Sequence, residues 1–225
     1  MSTAVVGLGE DEDVRAALEW FLESDPGNAS LKERIRAAQT HFRAHCGASG
    51  PRWPDPSELL LKSDLVASYL AQADALLHDA RCYDTTLGAY IVPFIKHIGT
   101  GVGELRTMPG VRERVRRLLM PKQEHPDGAL FELVAALRYS YEGFEMEFIA
   151  ESAKPSADLR AGPPDSAKNL HIECKRLRAS DYELREIVAT RALFTPLADL
   201  IHENRLNVWV DVRYTAELAD VPAAY

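Results

Sequence analysis

The chain is short of cysteine, of long apolar runs and of basic charge, and each shortage excludes something. Its 225 residues contain three cysteines, Cys46, Cys82 and Cys174. These show no metal-ligand spacing among themselves, and so odd and sparse a set suits a reducing compartment rather than a disulfide scaffold. No run reaches about 18 apolar residues, the length needed to span a bilayer, so no membrane segment is expected. The opening MSTAVVGLGEDED has no basic region and turns acidic at once, which excludes a secretory signal in this reading and leaves a cytoplasmic protein as the expectation. Repeats and low-complexity segments are absent. Net charge is -8, which excludes the broad positive field by which many proteins hold DNA. Residues 1–122 carry 15 Lys+Arg against 16 Asp+Glu, and residues 123–225 carry 11 against 18. Any nucleic acid would have to be met by a local positive field, at low affinity, or with a partner's help.

What is present is ordinary globular material, 46% hydrophobic and 27% charged, enough for one large domain or two small ones. Residues 10–122 read as a helical domain. Asp25-Pro26-Gly27-Asn28 is a turn, and Ser30-Leu31-Lys32-Glu33 has the form of a capping box. Leu31, Ile35, Ala38 and Phe42 then share one helical face. Gly47–Pro51 ends that helix, and Trp53-Pro54-Asp55-Pro56 is a rigid connector. A long helix is expected from Ser57 to about Ala80. Another follows Asp84, with a kink or break at Pro93. Gly99-Thr100-Gly101-Val102-Gly103 reads as a flexible connector, lacking the Gly-Lys-Ser/Thr of a phosphate loop. It leads to a basic helix around Val111–Met120, where Arg112, Arg114, Arg116 and Arg117 are either a solvated face or a nucleic-acid backbone contact. The helical half is expected to serve substrate choice or contact with a protein partner, a second copy of the chain included.

From residue 127 the pattern changes. Asp127 caps a helix that runs to about Tyr141 and stops at Gly143. Phe144–Phe148 alternates apolar and acidic residues, as a half-buried strand does. Ser156–Ala161 and Leu170–Arg176 are two further strands. Residues from about Asp181 to Asn204 read as a helix, broken or bent at Thr195-Pro196, and Leu206–Val212 as a β-branched fourth strand. The fold class is therefore α+β: a helical domain over 1–122, then a domain over 123–225 in the order α-β-β-β-α-β around a central mixed sheet.

Residues two apart on a strand share a face, so Glu173 and Lys175 project together and Cys174 turns inward as a small apolar residue. An antiparallel pairing of the second and third strands brings Asp158 beside Glu173. Two carboxylates there are hard oxygen ligands for Mg²⁺ or Mn²⁺. Such an ion polarises a phosphodiester and lowers the pKa of a bound water, and Lys175 is placed to orient or deprotonate that water. Glu132 sits in a stripe of small residues, Gly128, Ala129, Ala135 and Ala136, which lets its helix press against the sheet. A glutamate held there implies a metal site or a basic partner nearby.

Glu132, then Lys154-Pro155-Ser156-Ala157-Asp158, then His171-Ile172-Glu173-Cys174-Lys175-Arg176 together resemble the PD-(D/E)XK, or restriction-endonuclease-like, nuclease superfamily. The resemblance covers roughly residues 127–214. It implies an αβββαβ core and a metal-dependent nuclease, most naturally on DNA, with RNA still open. It also implies metal ligation by Asp158, Glu173, the Cys174 carbonyl and Glu132, with Lys175 serving the attacking water. Ala157 stands where the motif has proline, and Pro155 lies three residues before Asp158; the proline shapes backbone and does no chemistry. Lys154, Arg176 and Arg178 are candidate phosphate contacts or solvated charges. A nuclease-like module kept only for binding is the competing reading, favoured by the acidic charge. His41 and His45, four apart beside Cys46, are better read as a helix-end pair favoured by the dipole than as a metal site.

Overall fold

A computed structural model describes residues 11–25, 31–48, 56–79, 82–121, 126–150, 157–163 and 169–175, with isolated positions at 189, 196–197, 200–201 and 203–205. The chain divides into two compact units, Met1–His45 with Pro56–Lys175, and Cys46–Asp55 with Arg176–Tyr225. In the second unit the described residues are 46–48, which are helical, and short helical or turn stretches between 189 and 205. The expected helix over 181–204 thus lies largely outside the described residues, and the fourth strand, Ser30, Lys154, Arg176 and Arg178 lie wholly outside them. The first unit holds helices from both sides of residue 122. The class is α+β, with helices preceding a three-stranded antiparallel sheet.

Helix α1 (Glu12–Ser24) starts at Asp11, whose carboxylate accepts the Val14 N–H at 3.2 Å, a side-chain N-cap. Helix α2 (Leu31–Ala48) buries Leu31, Ile35, Ala38 and Phe42 as its spacing demands. At its start Asp25 accepts the Leu31 N–H at 2.7 Å. The helix expected over 57–80 is two: α3 (Pro56–Leu59) and α4 (Leu65–His78). The break comes from Asp64, which caps α4 through the Ala67 N–H and chelates Arg34 at 2.6 and 2.9 Å. Helix α5 (Thr85–Thr100) continues through Pro93.

The glycine-rich segment after it is not a loop. Gly99 and Thr100 close α5, and Val102–Leu105 forms a helical turn, α6. The glycines serve contact: a Cβ on Gly99 would lie 1.8 Å from the Asp13 carbonyl oxygen, and one on Gly101 would lie 2.2 Å from Leu137. They let α5 approach α1 and α8 closely. Gly110, at φ +80, then starts α7 (Val111–Leu118). The Phe148 N–H donates to the Pro109 carbonyl at 2.9 Å, and a Cβ on Gly110 would meet the Phe148 carbonyl oxygen at 2.3 Å. This turn seats the start of α7 on the sheet.

Helix α8 (Pro126–Tyr141) begins at Pro126, the first-turn position proline suits, and stops before Gly143 at φ +90. Asp127 falls inside its first turn and is buried, where it accepts the Tyr90 hydroxyl at 3.1 Å and the Tyr69 hydroxyl at 3.5 Å. It is a core tie to α5 and α4, not the cap expected. Strands β1 (Glu145–Phe148), β2 (Leu159–Gly162) and β3 (Leu170–Ile172) form the sheet in the order β1-β2-β3, both pairs antiparallel. The strands described here are all antiparallel, where a mixed sheet was expected. Met146, Phe148, Leu159 and Ala161 are buried on one face, and α7 and α8 contact the sheet. No helix among the described residues is long and apolar enough to cross a membrane.

Candidate active site

Helix α7 buries Val111, Arg114, Val115 and Leu118, positions separated by three, one and three residues. That is the apolar stripe of an amphipathic helix, with an arginine in one of its places. Arg114 therefore points into the protein with its side chain 9% exposed. Across from it, Ala129, Leu133 and Ala136 bury one face of α8 and carry Glu132 inward with them. Arg114 Nε lies 2.9 Å from Glu132 Oε2, and Arg114 Nη2 lies 3.8 Å from Asp158 Oδ1. The small-residue stripe does press Glu132 toward the interior, and the basic partner it implied is Arg114. Arg138, the nearer candidate by sequence, pairs instead with Glu142.

Asp158 stands one residue before β2. Its N–H donates to the Ile172 carbonyl at 3.0 Å, and its carbonyl accepts the Ile149 N–H at 2.9 Å, so its backbone ties β3 to the end of β1. Its carboxylate does a second job: Oδ2 accepts the Cys174 N–H at 2.7 Å. Because a side chain takes that amide, the ladder ends at Ile172, and Glu173, Cys174 and Lys175 fall just past the strand expected to run to Arg176.

Cys174 lies inward as expected, packed against the core. Burial pushes its thiol up to about 11, and the negative charges of Asp158 and Glu132 add to this while Arg114 opposes them. The thiol is thus neutral at pH 7 and offers no thiolate ligand. Glu173 and Lys175 lie at the surface, with side chains 60% and 74% exposed, and pair at 3.4 Å. They were expected to share a face of the third strand, which ends at Ile172 before reaching them. The two halves of the expected constellation are therefore differently placed: Asp158 and Glu132 gather around Arg114 and Cys174 in the interior, and Glu173 and Lys175 meet solvent.

Among the described residues no three His, Cys, Asp or Glu side chains form a set that could hold a metal ion. The hard oxygen donors in this cluster are the carboxylates of Glu132 and Asp158, and both face Arg114. The exposed Glu173–Lys175 pair is held by only about 0–1 kcal/mol. The His41 and His45 rings lie tilted at 37° with centroids 4.0 Å apart, and their ring nitrogens contact the carbonyls of Glu58 and His41 respectively. Sequence reasoning missed Arg114 as a member of the cluster, although its place in the α7 stripe marks it. No family model, curated protein or solved structure matches the chain.

Proposed function

We propose that the chain is a metal-dependent nuclease of the PD-(D/E)XK type that hydrolyses phosphodiester bonds, in DNA by preference. One observation carries this reading. Glu132 of α8 and Asp158 at the head of β2 converge on a single guanidinium, and the Cys174 amide joins Asp158 to the segment bearing Glu173 and Lys175. A helix carboxylate, a strand carboxylate and a Glu-x-Lys pair, in the order α-β-β-β, are the parts such a nuclease uses. Asp158, Glu173, Glu132 and the Cys174 carbonyl would hold Mg²⁺ or Mn²⁺. When bound, that ion supplies Lewis-acid polarisation of the phosphate and a more acidic water. Lys175 orients that water and offsets charge growing on the phosphate. Arg114 keeps Glu132 and Asp158 together against their mutual repulsion.

Arg114 also favours a second reading, an inactive nuclease-like module used for binding. A guanidinium already neutralises part of the carboxylate charge that a metal would otherwise balance. Cleavage of single- and double-stranded DNA and of RNA in Mg²⁺, Mn²⁺ and EDTA decides between them. Metal-dependent cleavage that is lost in Glu173→Ala supports the nuclease. Binding without cleavage under all three conditions supports the module.

A further inference from the structure

An open cleft of about 640 Å³ lies between the C-terminal end of α1 and the Arg106–Arg116 segment, and Arg114 is not among its lining residues. Its apolar lining includes Val111 and Val115. Its cations are Arg106, Arg112 and Arg116, and its acids are Glu23 and Asp25. The acids are committed: Glu23 pairs with Arg106, and Asp25 accepts the Leu31 N–H at the start of α2. Arg112 makes no ion pair among the described residues. Arg116 has only an exposed contact with Glu113 at 3.9 Å, which a stronger anion displaces. Arg112 and Arg116 are four residues apart, so they stand one above the other along the helix and face the same space. Every cation in the cleft is arginine, whose planar fork binds phosphate oxygens in pairs. Three arginines against two acids leave the lining a small positive excess in a chain of net charge -8, and polyphosphate needs such an excess to approach.

We propose that this cleft binds the phosphate backbone of a nucleic-acid strand through the guanidinium groups of Arg112 and Arg116. The choice of ligand rests on the nuclease reading above. The contact is non-catalytic: α7 turns Arg114 toward the carboxylates and the other two arginines toward the strand.

The test is fluorescence anisotropy of the full chain with labelled single-stranded and duplex DNA, in EDTA, over a series of KCl concentrations. Each phosphate contact contributes roughly 0.7 to the slope of log K against log salt on a single strand and about 0.9 on a duplex. The double variant Arg112→Ala/Arg116→Ala is therefore expected to lose roughly 1.4 to 1.8 from the slope, and to bind more than tenfold more weakly at low salt. Arg112→Lys/Arg116→Lys is expected to keep most of the slope with weaker affinity. Arg138→Ala, which removes an exposed arginine on α8, is expected to change neither. Circular dichroism checks that each variant folds. A double variant with wild-type slope and affinity overturns the proposal, as does an equal loss in Arg138→Ala or a wild-type chain that binds neither DNA. The nuclease reading is judged separately, by whether the wild-type chain cleaves in Mg²⁺.

Discussion

Arg114 Nε lies 2.9 Å from Glu132 Oε2, and the two side chains are only 9% and 11% exposed. A pair so buried has surrendered its hydration and relies on mutual attraction. Arg114→Met should therefore destabilise the fold by about 3–5 kcal/mol, the range for removing one partner of a buried pair. Arg114→Met/Glu132→Met should lie much closer to wild type, because both charges leave together. Urea unfolding midpoints of the two variants measure this. A single variant within about 0.5 kcal/mol of wild type, the range of ordinary surface changes, would show that the pair is not held as described.

Mn²⁺ should raise the unfolding midpoint of the wild-type chain. A ligand present at about 100 times its Kd adds about 2.7 kcal/mol. Asp158→Ala should abolish that increment, and EDTA should reverse it in wild type. Glu173→Ala should reduce it while leaving metal-free stability nearly unchanged, since Glu173 is exposed. A Mn²⁺ effect intact in Asp158→Ala would place the ion elsewhere.

Lys175→Ala should slow cleavage by a factor on the order of 10² or more, the scale of a positioned acid–base or charge-stabilising group. Metal affinity should change little, because a cation is not a ligand. Lys175→Arg should fail as well, since guanidinium is bulkier and keeps its proton. Stability should survive both, with the side chain 74% exposed and held only by Glu173. Cleavage time courses beside Mn²⁺ titrations separate these effects.

The Cys174 thiol titrates near 11 when folded against a usual 9.0. The folded state therefore holds this proton more tightly than the unfolded one. The resulting stability is fully present below about pH 9 and is lost as pH rises toward 11. Urea midpoints from pH 8 to 10.5 should fall for the wild-type chain and fall less for Cys174→Ala. Thiol alkylation at pH 8 should be slow at Cys174 compared with the exposed Cys46.

Gly99 and Gly103, four residues apart, should answer alanine oppositely. Gly99→Ala drives a methyl against the Asp13 backbone and should cost about 1–3 kcal/mol, the scale of overpacking. Gly103 has nothing within 4 Å of a Cβ and sits in α6. Gly103→Ala should stabilise by about 0.4–1 kcal/mol by restricting the unfolded chain. Thermal unfolding of the pair reads both signs.

Periodicity was enough to find the elements around the site. The alternation of Phe144–Phe148 appears as buried Met146 and Phe148, and the short link between the next two strands appears as the antiparallel β2–β3 pair. The alanines flanking Glu132 were enough to turn it inward. What escaped was decided by partners distant in sequence. Asp127 looked like a cap because Asp favours that place, but Tyr69 and Tyr90, on other helices, draw it into the core. Arg114 was submerged in a run of arginines, since charge counting does not distinguish faces of a helix. Its partners stand 18 and 44 residues further on. The early end of β3 follows from one side chain, Asp158, competing for a backbone amide, which no propensity scale records.

The Pro109-Gly110 turn gives α7 a fixed angular setting. With the Pro109 carbonyl bonded to Phe148 and Gly110 lying beneath that residue's backbone, the helix cannot roll about its axis without tearing away from β1. That setting is what assigns Arg114 to the interior and Arg112 and Arg116 to the surface. A side chain at 110 would be strained at φ +80 and would meet the Phe148 carbonyl oxygen, at the turn that leads into the helix carrying all three arginines. Position 110 is thus an axle for two distant properties, the internal neutralisation of Glu132 and the outward presentation of positive charge, and one substitution there alters both.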